Sequence, residues 1–464
     1  MPEMEYRGYW WLPEDDSKKI PGTLSFAEHK GKAILNLLGT LVEPHNLLKA
    51  RTMPLIYGFS ESGKQITLYQ CSNLGAHLSF PGFSTEKYNV ARVFVGGYLG
   101  GGGDITFKTV SVSLSNASEW VNVSGIEYTM TASGGDTTLK YSARKVVEVN
   151  WGKEWKIEIL HRASVQPPKH SLETTIASIT ERVQFKIESS EEKPFDWFLQ
   201  KIDLISNFLT LGIGAPVFPL AIDGTTERAV LIIDNVTRYP DVAIFFSMAE
   251  DPRMLKNRTW NEMLFAYRHI TADFETMIKK WFEKAELLSP VYNLFFGTFY
   301  NSSMYLQHEF LSLIQALESY HRRVCVGKYL EDKPYEPIRK TLTERIPADL
   351  DSSFKESLKS RLKYGNEFSL RKRLKDVLDR YSKFATGLID DFDVFISQVV
   401  DTRNYLTHYT HELEEKAFKG YDLYVLCQKI KFLIEICFLS ELGLSEDSIS
   451  RRLKEDRRYN HIKS

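Results

Sequence analysis

The segment Phe392–His408, FDVFISQVVDTRNYLTH, begins with apolar residues at helical spacing and ends in a polar run. The polar run, Asp401–His408, carries Arg403, Asn404 and His408. Arginine is always charged, and histidine is the side-chain type that exchanges protons near neutral pH. A cation, an amide and a proton carrier within about one and a half helical turns are a set that can bind a phosphate and act on it.

The spacing limits what one copy of this motif can do. Each helical residue advances by about 100°, so Arg403 and His408 lie roughly 140° apart, whereas Asn404 and His408 share a face. If Arg403 lies in a first turn capped by Asp401 or Thr402, its long side chain can reach round to the histidine. Two copies meeting across a symmetric dimer would place two histidines and two arginines in one cleft. In the alternative interpretation, Arg403 pairs with a nearby acid and His408 is a satisfied, half-buried histidine.

Two stretches resemble a known family. The pattern Arg-Asn, three residues, His, preceded by the apolar helix Phe392–Val400, resembles the signature of the HEPN superfamily of RNA-cleaving helical domains. The segment Phe310–Arg322 is similar to the first helix of the ApeA-like branch, which occurs in prokaryotic anti-phage defence. The resemblance covers the last third of the chain directly and the N-terminal part by general layout.

The resemblance implies an abortive-infection defence protein that acts as an endoribonuclease and homodimer, with tRNA as a candidate substrate. Neither a metal nor another cofactor is expected. His408 would accept the proton of an RNA 2′-hydroxyl, Arg403 would bind the phosphate, and Asn404 would orient the histidine. In HEPN toxins silenced by a nucleotidyltransferase, a tyrosine follows the histidine by two positions. Here Thr410 stands at that position and Tyr409 comes one residue early, so the resemblance instead implies an N-terminal domain that senses a phage-encoded trigger protein.

Two features of the sequence raise functions of other classes. The bundle could be a non-catalytic module that binds a nucleotide or a protein, with the N-terminal domain as the main functional part. Gly58–Gln65 has the glycine and lysine spacing of a P-loop, but Gln65 replaces the Ser or Thr that binds magnesium, so a hairpin turn is predicted. The glycine-rich Gly96–Asp104 is predicted to be a loop, either a plain connection or one that contacts a ligand.

The formal net charge of the 464 residues is −1, so RNA must be bound by local basic patches. We predict such patches at Arg371, Lys372 and Arg373 and at Arg451 and Arg452; the alternative is a solvated helix face. Two further residues one turn apart, Glu318 and His321, are supporting candidates. Equally, Glu318 could neutralise Arg322 four positions on.

Cysteine usage and the absence of a signal sequence predict a cytoplasmic protein. The four cysteines contain no CxxC pair, which makes a disulfide framework or a zinc site unexpected. The N-terminus is acidic and lacks the apolar core of a signal peptide. The long uncharged run Ile205–Ile222 is interrupted by glycines and prolines, so no membrane contact is expected.

The predicted fold class is α+β and multidomain, with a β-rich N-terminal domain followed by an all-α HEPN bundle. Residues 1–190 are assigned to a β-rich sensor domain because short alternating runs are separated by Gly, Pro, Asn and Ser. Residues 191–295 are a mixed continuation, with a boundary near Ser289-Pro290. Residues 296–464 are the helical nuclease domain, beginning with one long helix, Leu294–Cys325.

Overall fold

The computed structural model describes residues 5–27, 32–42, 51–100, 104–131, 135–234, 236–246, 257–301 and 303–463. The chain forms two compact units. The first consists of residues 1–209, 217–260 and 266–268, and the second of residues 210–216, 261–265 and 269–464.

The first unit is built mainly from strands. In chain order the strands are β1 Glu5–Leu12, β2 Asp15–Ala27, β3 Lys32–Leu38, β4 Thr52–Ser60, β5 Gln65–His77, β6 Thr85–Val95, β7 Thr106–Leu114, β8 Ile126–Met130, β9 Thr137–Tyr141, β10 Lys145–Trp151, β11 Trp155–His170, β12 Thr175–Pro194, β13 Pro219–Thr225, β14 Leu231–Ile233, β15 Val236–Arg238 and β16 Val242–Phe246. Two helices belong to the same part of the chain, α1 Ala117–Val121 and α2 Phe195–Ile213.

Twelve strands form one antiparallel sheet in the order β10-β11-β12-β7-β13-β16-β6-β3-β2-β1-β4-β5. Because β5 also pairs with β6, the strands β6, β3, β2, β1, β4 and β5 close into a six-stranded barrel. The remaining strands continue from β6 as an open sheet. Closure leaves the six barrel strands without a free edge between β5 and β6, and so removes an edge through which sheets can aggregate.

The barrel interior follows from the alternation of its strands. Trp10 is completely buried and belongs to a core with Leu24, Ile56, Leu68 and other apolar residues. Gly58, on the neighbouring strand β4, is required by this packing, because a Cβ added there would lie 2.3 Å from the Trp10 ring. A strand side chain points to the face opposite its neighbours, so the residues on either side of Trp10 face outward.

The second unit is a helical bundle. The helices after β16 are α3 Tyr267–Ile270, α4 Phe274–Glu283, α5 Ala285–Tyr300, α6 Leu306–Val324, α7 Asp332–Glu344, α8 Ser352–Tyr364, α9 Leu370–Arg380, α10 Ser382–Ala385, α11 Phe392–His408, α12 His411–Glu414, α13 Gly420–Glu441, α14 Glu446–Glu455 and α15 Arg457–Lys463. The longest of them, α13, packs against α6, and α6 also packs against α5, α9 and α11. None of the helices described is both long enough and apolar enough to cross a bilayer.

The predicted fold class, a β-rich N-terminal region followed by a helical bundle, is confirmed. The predicted turn within Gly58–Gln65 is also confirmed, since β4 ends at Ser60 and β5 begins at Gln65, with Gly63 at φ +77°. A strand follows the lysine of this turn, so the segment lacks the helix that a P-loop requires.

Several element boundaries differ from the prediction. The segment Leu294–Cys325 is two helices rather than one, because α5 ends at Tyr300 and α6 begins at Leu306. The boundary expected near Ser289-Pro290 lies inside α5, whose early turns accommodate Pro290. The sequence patterns did not predict four of the strands, β4, β10, β13 and β15. Of these, β13 begins at Pro219, inside the run Ile205–Ile222 that glycines and prolines interrupt.

Candidate functional site

The motif Asp401–His408 forms the end of α11 rather than its beginning. The helix starts after Asp391, whose carboxylate accepts a hydrogen bond from the Val394 amide at 3.0 Å. It ends at His408, and Tyr409 takes a left-handed conformation with φ 50° and ψ 38°. The idea that Arg403 lies in a first turn capped by Asp401 or Thr402 is therefore wrong, because the cap lies ten residues before Asp401.

Arg403 and Asn404 are half-buried, whereas His408 is exposed. The Arg403 guanidinium donates a hydrogen bond to Asn404 Oδ1 at 3.1 Å. Across the residues that the structure describes, Arg403 has no carboxylate partner and His408 has no hydrogen-bond partner. The geometry therefore does not match the alternative in which an acid neutralises Arg403 and the histidine is satisfied. The cation and the imidazole stay available for an external ligand.

The helix does not bring Arg403 and His408 together. They are five positions apart on a regular helix, roughly 7.5 Å along its axis and 140° around it. The only side-chain hydrogen bond of Arg403 recorded for the described chain is to Asn404. A single α11 therefore presents Arg403 on one side of the helix and His408 on another, so the two predicted groups do not face the same point.

Thr402 fixes the chain that follows the motif. Its side chain is fully buried and its hydroxyl accepts a hydrogen bond from the Phe418 amide at 3.1 Å. This bond ties the chain just before α13 back to α11, so that the short segment with α12 lies beside the motif. The sequence offered Thr402 as a helix cap, whereas its actual partner is sixteen residues away.

An aromatic group near the motif was not predicted as part of the site. The Tyr405 and Tyr409 rings meet edge to face at 5.4 Å, and the Lys419 ammonium lies 5.4 Å from the Tyr405 ring centroid. Tyr421 and Tyr424 are also exposed, 71% and 45% respectively. The signal in the sequence was the spacing of Tyr405 and Tyr409, which interleave with the motif at i and i+4.

The supporting candidates Glu318 and His321 have partners elsewhere in the bundle. Glu318 forms an ion pair with Arg322 at 3.0 Å, as the alternative interpretation proposed. His321 is completely buried; its Nε2 lies 3.2 Å from Asp376, and Arg373 donates to its Nδ1 at 3.1 Å. This arrangement suits a neutral imidazole. Burial lowers the pKa of His321, and Arg373 adds to that effect while the hydrogen bond to Asp376 opposes it.

Two of the predicted RNA-binding arginines are buried. The Arg373 side chain is 2% exposed and bonds to backbone carbonyls and to His321. Arg452 is 8% exposed and pairs with Glu455 at 2.8 Å. Each is held in the interior of the bundle, so neither contributes to the basic surface patch predicted for it.

The other three predicted RNA-binding residues lie nearer to solvent. Arg371 is exposed and donates to Ser397 Oγ on α11 at 3.0 Å, which places it beside the motif helix. Lys372 pairs with Asp376 at 2.8 Å and is 40% exposed. Arg451 is exposed.

These observations define a class of protein, in which a partly barrel-shaped β unit precedes a helical bundle that presents an Arg-Asn-x3-His motif. Two family models match the chain. ApeA N-terminal domain 1 matches residues 5–281, and the Apea-like HEPN domain matches residues 311–448. The chain belongs to the ApeA-like HEPN family. No curated protein and no solved structure matches it.

The second match contains the whole of α11 and most of the bundle. The pairing of the two domains suggests an anti-phage HEPN protein, and domains of the HEPN family are usually ribonucleases.

Proposed function

We propose that the protein is an abortive-infection defence enzyme whose HEPN domain cleaves RNA without a metal ion. Arg403 and His408 would be the catalytic residues, with Asn404 beside them. The observation that carries the proposal is their state: within the described chain Arg403 has no carboxylate partner, and His408 is exposed at a helix end. Structural arginines in this bundle, such as Arg373, are instead buried and bonded.

The chemistry follows from the side chains. His408 accepts the proton of an RNA 2′-hydroxyl as that oxygen attacks the adjacent phosphorus. The bond to the 5′-oxygen breaks, and a second histidine returns a proton to that leaving oxygen. Arg403 binds the non-bridging oxygens and stabilises the charge that grows on them. The products are a 2′,3′-cyclic phosphate and a 5′-hydroxyl, so DNA, which lacks the 2′-hydroxyl, is not a substrate.

A second copy of the chain would complete the site. Arg403 and His408 lie roughly 140° apart on α11, and the mechanism needs both an acid and a base. A homodimer whose α11 helices face each other supplies the second histidine and an arginine for the same phosphate. The dimer is thus a requirement of the proposed chemistry.

The exposed Tyr409, the half-buried Tyr405 and nearby cations are suited to guiding a single strand of RNA, although Lys419 is paired with Glu414 at 3.1 Å in the free chain. Tyr405 and Tyr409 offer faces on which bases can stack, and Lys419 adds a positive charge close to them. Arg371, which contacts α11 through Ser397, extends the positive charge along the helix. Binding through phosphates predicts a steep dependence on salt. Single-stranded loops of tRNA are candidate targets because their bases are unstacked.

The N-terminal unit would act as the sensor. In this proposal it holds the nuclease inactive until a phage-encoded protein binds, after which RNA cleavage stops growth of the infected cell. Such control explains how a cell tolerates a nuclease in its cytoplasm.

The test is RNA cleavage by the purified full-length protein in EDTA, with total tRNA and with or without infected-cell extract. We expect wild type to cleave in the presence of extract, and Arg403→Ala and His408→Ala to lose about 100-fold or more. Matched controls are Arg457→Ala and His411→Ala, which remove an exposed arginine and an exposed histidine outside the motif. End analysis checks for the cyclic phosphate.

Cleavage that survives both motif substitutions would refute the assignment of the site. If no cleavage occurs with or without extract, and tRNA or another ligand still binds in a manner that Arg403→Ala abolishes, the bundle is a non-catalytic binding module. The composite site has its own test, which is co-expression of wild type with excess His408→Ala. Mixed dimers should be inactive, so activity should fall below the wild-type fraction; activity proportional to that fraction would show that one chain suffices.

A further inference from the structure

The outer surface of the barrel carries an aromatic pocket that the proposed nuclease does not use. On β1, Tyr9 and Trp11 face away from the core that Trp10 fills. Their cross-strand partners on β4 are also aromatic, since Tyr9 pairs with Phe59 and Trp11 pairs with Tyr57. Two consecutive aromatic pairs therefore lie side by side on the outer face. Tyr9 is 55% exposed and Phe59 is 45% exposed.

A fifth ring comes from the glycine-rich loop that follows β6. The Tyr98 ring lies 5.6 Å from Trp11 and 5.1 Å from Tyr57. Thr67 on β5 holds the backbone on both sides of Tyr98. Its hydroxyl donates to Gly97 O at 2.8 Å and accepts from Leu99 N at 2.9 Å. The described part of the loop is thus anchored to the barrel and contributes a wall.

The hydroxyl of Tyr57 strengthens the same wall by donating to Leu99 O at 3.0 Å. With Pro13, Asp16 and Lys19, the five rings line an open pocket of about 570 Å³. Ligand sites in proteins commonly have volumes of about 300–1,000 Å³. Trp11 is buried, and Tyr57 and Tyr98 are half-buried, so the exposed rings at this concavity are Tyr9 and Phe59. Two large exposed rings beside a concavity of this size mark a binding surface more often than a packing defect.

Charge indicates which ligand the pocket suits. The Lys19 ammonium lies 4.9 Å from the Trp11 ring centroid, so one ring face already holds a cation. Asp16 is exposed, and within the described chain it has neither an ion-pair nor a hydrogen-bond partner. Two further acids precede it, Glu14 in the turn between β1 and β2 and Asp15 at the start of β2. Ring faces and carboxylates both attract cations.

A phosphate-bearing ligand fits less well. Among the described residues that line the pocket, Lys19 is the one basic side chain, and it is engaged with Trp11. The phosphates of a nucleotide would instead meet Asp16.

We propose that this pocket binds a basic side chain of another polypeptide, arginine in the first place, and that Lys19 occupies its inner face when no partner is bound. A planar guanidinium stacks on aromatic rings and is more weakly hydrated than an ammonium, so arginine displaces lysine from such a face. The partner's cation would lie between the rings and pair with Asp16. This inference concerns binding alone and stands independently of whether the bundle cleaves RNA.

The test is ligand-observed saturation-transfer NMR on the full-length protein with the tripeptide acetyl-Gly-Arg-Gly-amide as probe. We expect saturation to reach the arginine δ-methylene protons, and the neutral peptide acetyl-Gly-Gln-Gly-amide to show none. Tyr9→Ala and Phe59→Ala should each lower the affinity by a few-fold to about tenfold, since one cation–π contact is removed. Lys19→Gln should raise it several-fold, because the internal competitor is gone.

Matched controls are Tyr128→Ala and Tyr239→Ala, which remove rings that are 63% and 51% exposed elsewhere on the same unit. Both should bind the probe as wild type does. Because Lys19→Gln is expected to gain affinity, a folding defect cannot imitate it. Absence of saturation transfer in wild type, or affinity that none of the pocket variants changes, would refute the proposal. So would tighter, Tyr9-dependent binding of AMP, which would make the pocket a nucleobase site.

Discussion

An arginine on α15 binds two buried carboxylates, and replacing this arginine has a predictable cost in stability. Arg458 on α15 binds Glu435 through two hydrogen bonds of 3.1 and 3.2 Å and also binds Asp456 at 2.8 Å. Glu435 and Asp456 are each 1% exposed. Gly214 lies against the guanidinium, where a Cβ would be 2.7 Å from its nitrogen.

Arg458→Met keeps most of the side-chain volume and leaves both carboxylates without their cation. Losing one partner of a buried ion pair costs about 3–5 kcal/mol. Because 24% of the Arg458 side chain is exposed, water partly replaces it, and we expect a loss of about 3 kcal/mol, at the lower end of that range. Burial raises the pKa of Glu435 even though Arg458 lowers it. Without Arg458 that pKa rises further, so the deficit should shrink as the pH falls and the carboxyl is protonated.

The assay is urea unfolding followed by circular dichroism in the helical band, which reports mainly on the bundle. Arg457→Met, which removes an exposed neighbour, should stay within about 0.5 kcal/mol of wild type. Adding Glu435→Gln to Arg458→Met should recover part of the loss, since the buried charge is removed. A deficit below about 1 kcal/mol, or one that is independent of pH and of Glu435→Gln, would refute the ion-pair account.

Three further substitutions test other parts of the structure. Burial lowers the pKa of His321 in the folded state, so its contribution to stability is present above the unfolded pKa of about 6.5 and is lost as the pH falls below it. His321→Gln should therefore flatten the pH dependence of the free energy of unfolding, measured by urea, by up to about 1.4 kcal/mol per pH unit. An unchanged slope would contradict this. Thr402→Val removes the acceptor of the Phe418 amide, which should lower the free energy of unfolding by about 1 kcal/mol. It should also speed hydrogen exchange in residues 409–419, measured by mass spectrometry. Equal exchange in both proteins would show that this hydrogen bond does not hold the segment. Gly58→Ala should destabilise the barrel by about 1–3 kcal/mol in thermal unfolding, because its Cβ would lie 2.3 Å from the Trp10 ring. Gly297→Ala is the control and should be neutral or stabilising, since a Cβ there has no heavy atom within 4 Å. Similar effects of the two substitutions would refute the packing argument.

Local patterns predicted the kind of each element better than its partners. Alternation in the first strands and the turn at Gly58–Gln65 follow from neighbouring residues, and both appear in the structure. Closure of the barrel depends on β5 pairing with β6 while β6 also pairs with β3. A strand with two sets of partners has the same period of two as any other strand, so closure left no trace in the periodicity.

Arginines show the same limit at the level of single residues. Arg373 and Arg371 belong to one basic run, yet Arg373 is buried and Arg371 is exposed. Their helix places them about 200° apart, and only knowledge of which face meets α6 tells them apart. For Arg458 a signal did exist. Glu435 interrupts the apolar run of α13, and an acid in such a run requires a buried cation from elsewhere in the chain.

The site itself shows why one sequence predicts residues more readily than their arrangement. The motif names Arg403 and His408, but its place in α11 depends on Asp391, a cap seventeen residues before the histidine. Once the helix runs from Asp391 to the motif, its regular geometry separates the two side chains around the axis. No rotation of one rigid helix removes that separation. Any reaction that needs both groups at one phosphate must therefore recruit a surface from outside α11, which makes the oligomeric state of the protein a chemical variable that can be measured together with its activity.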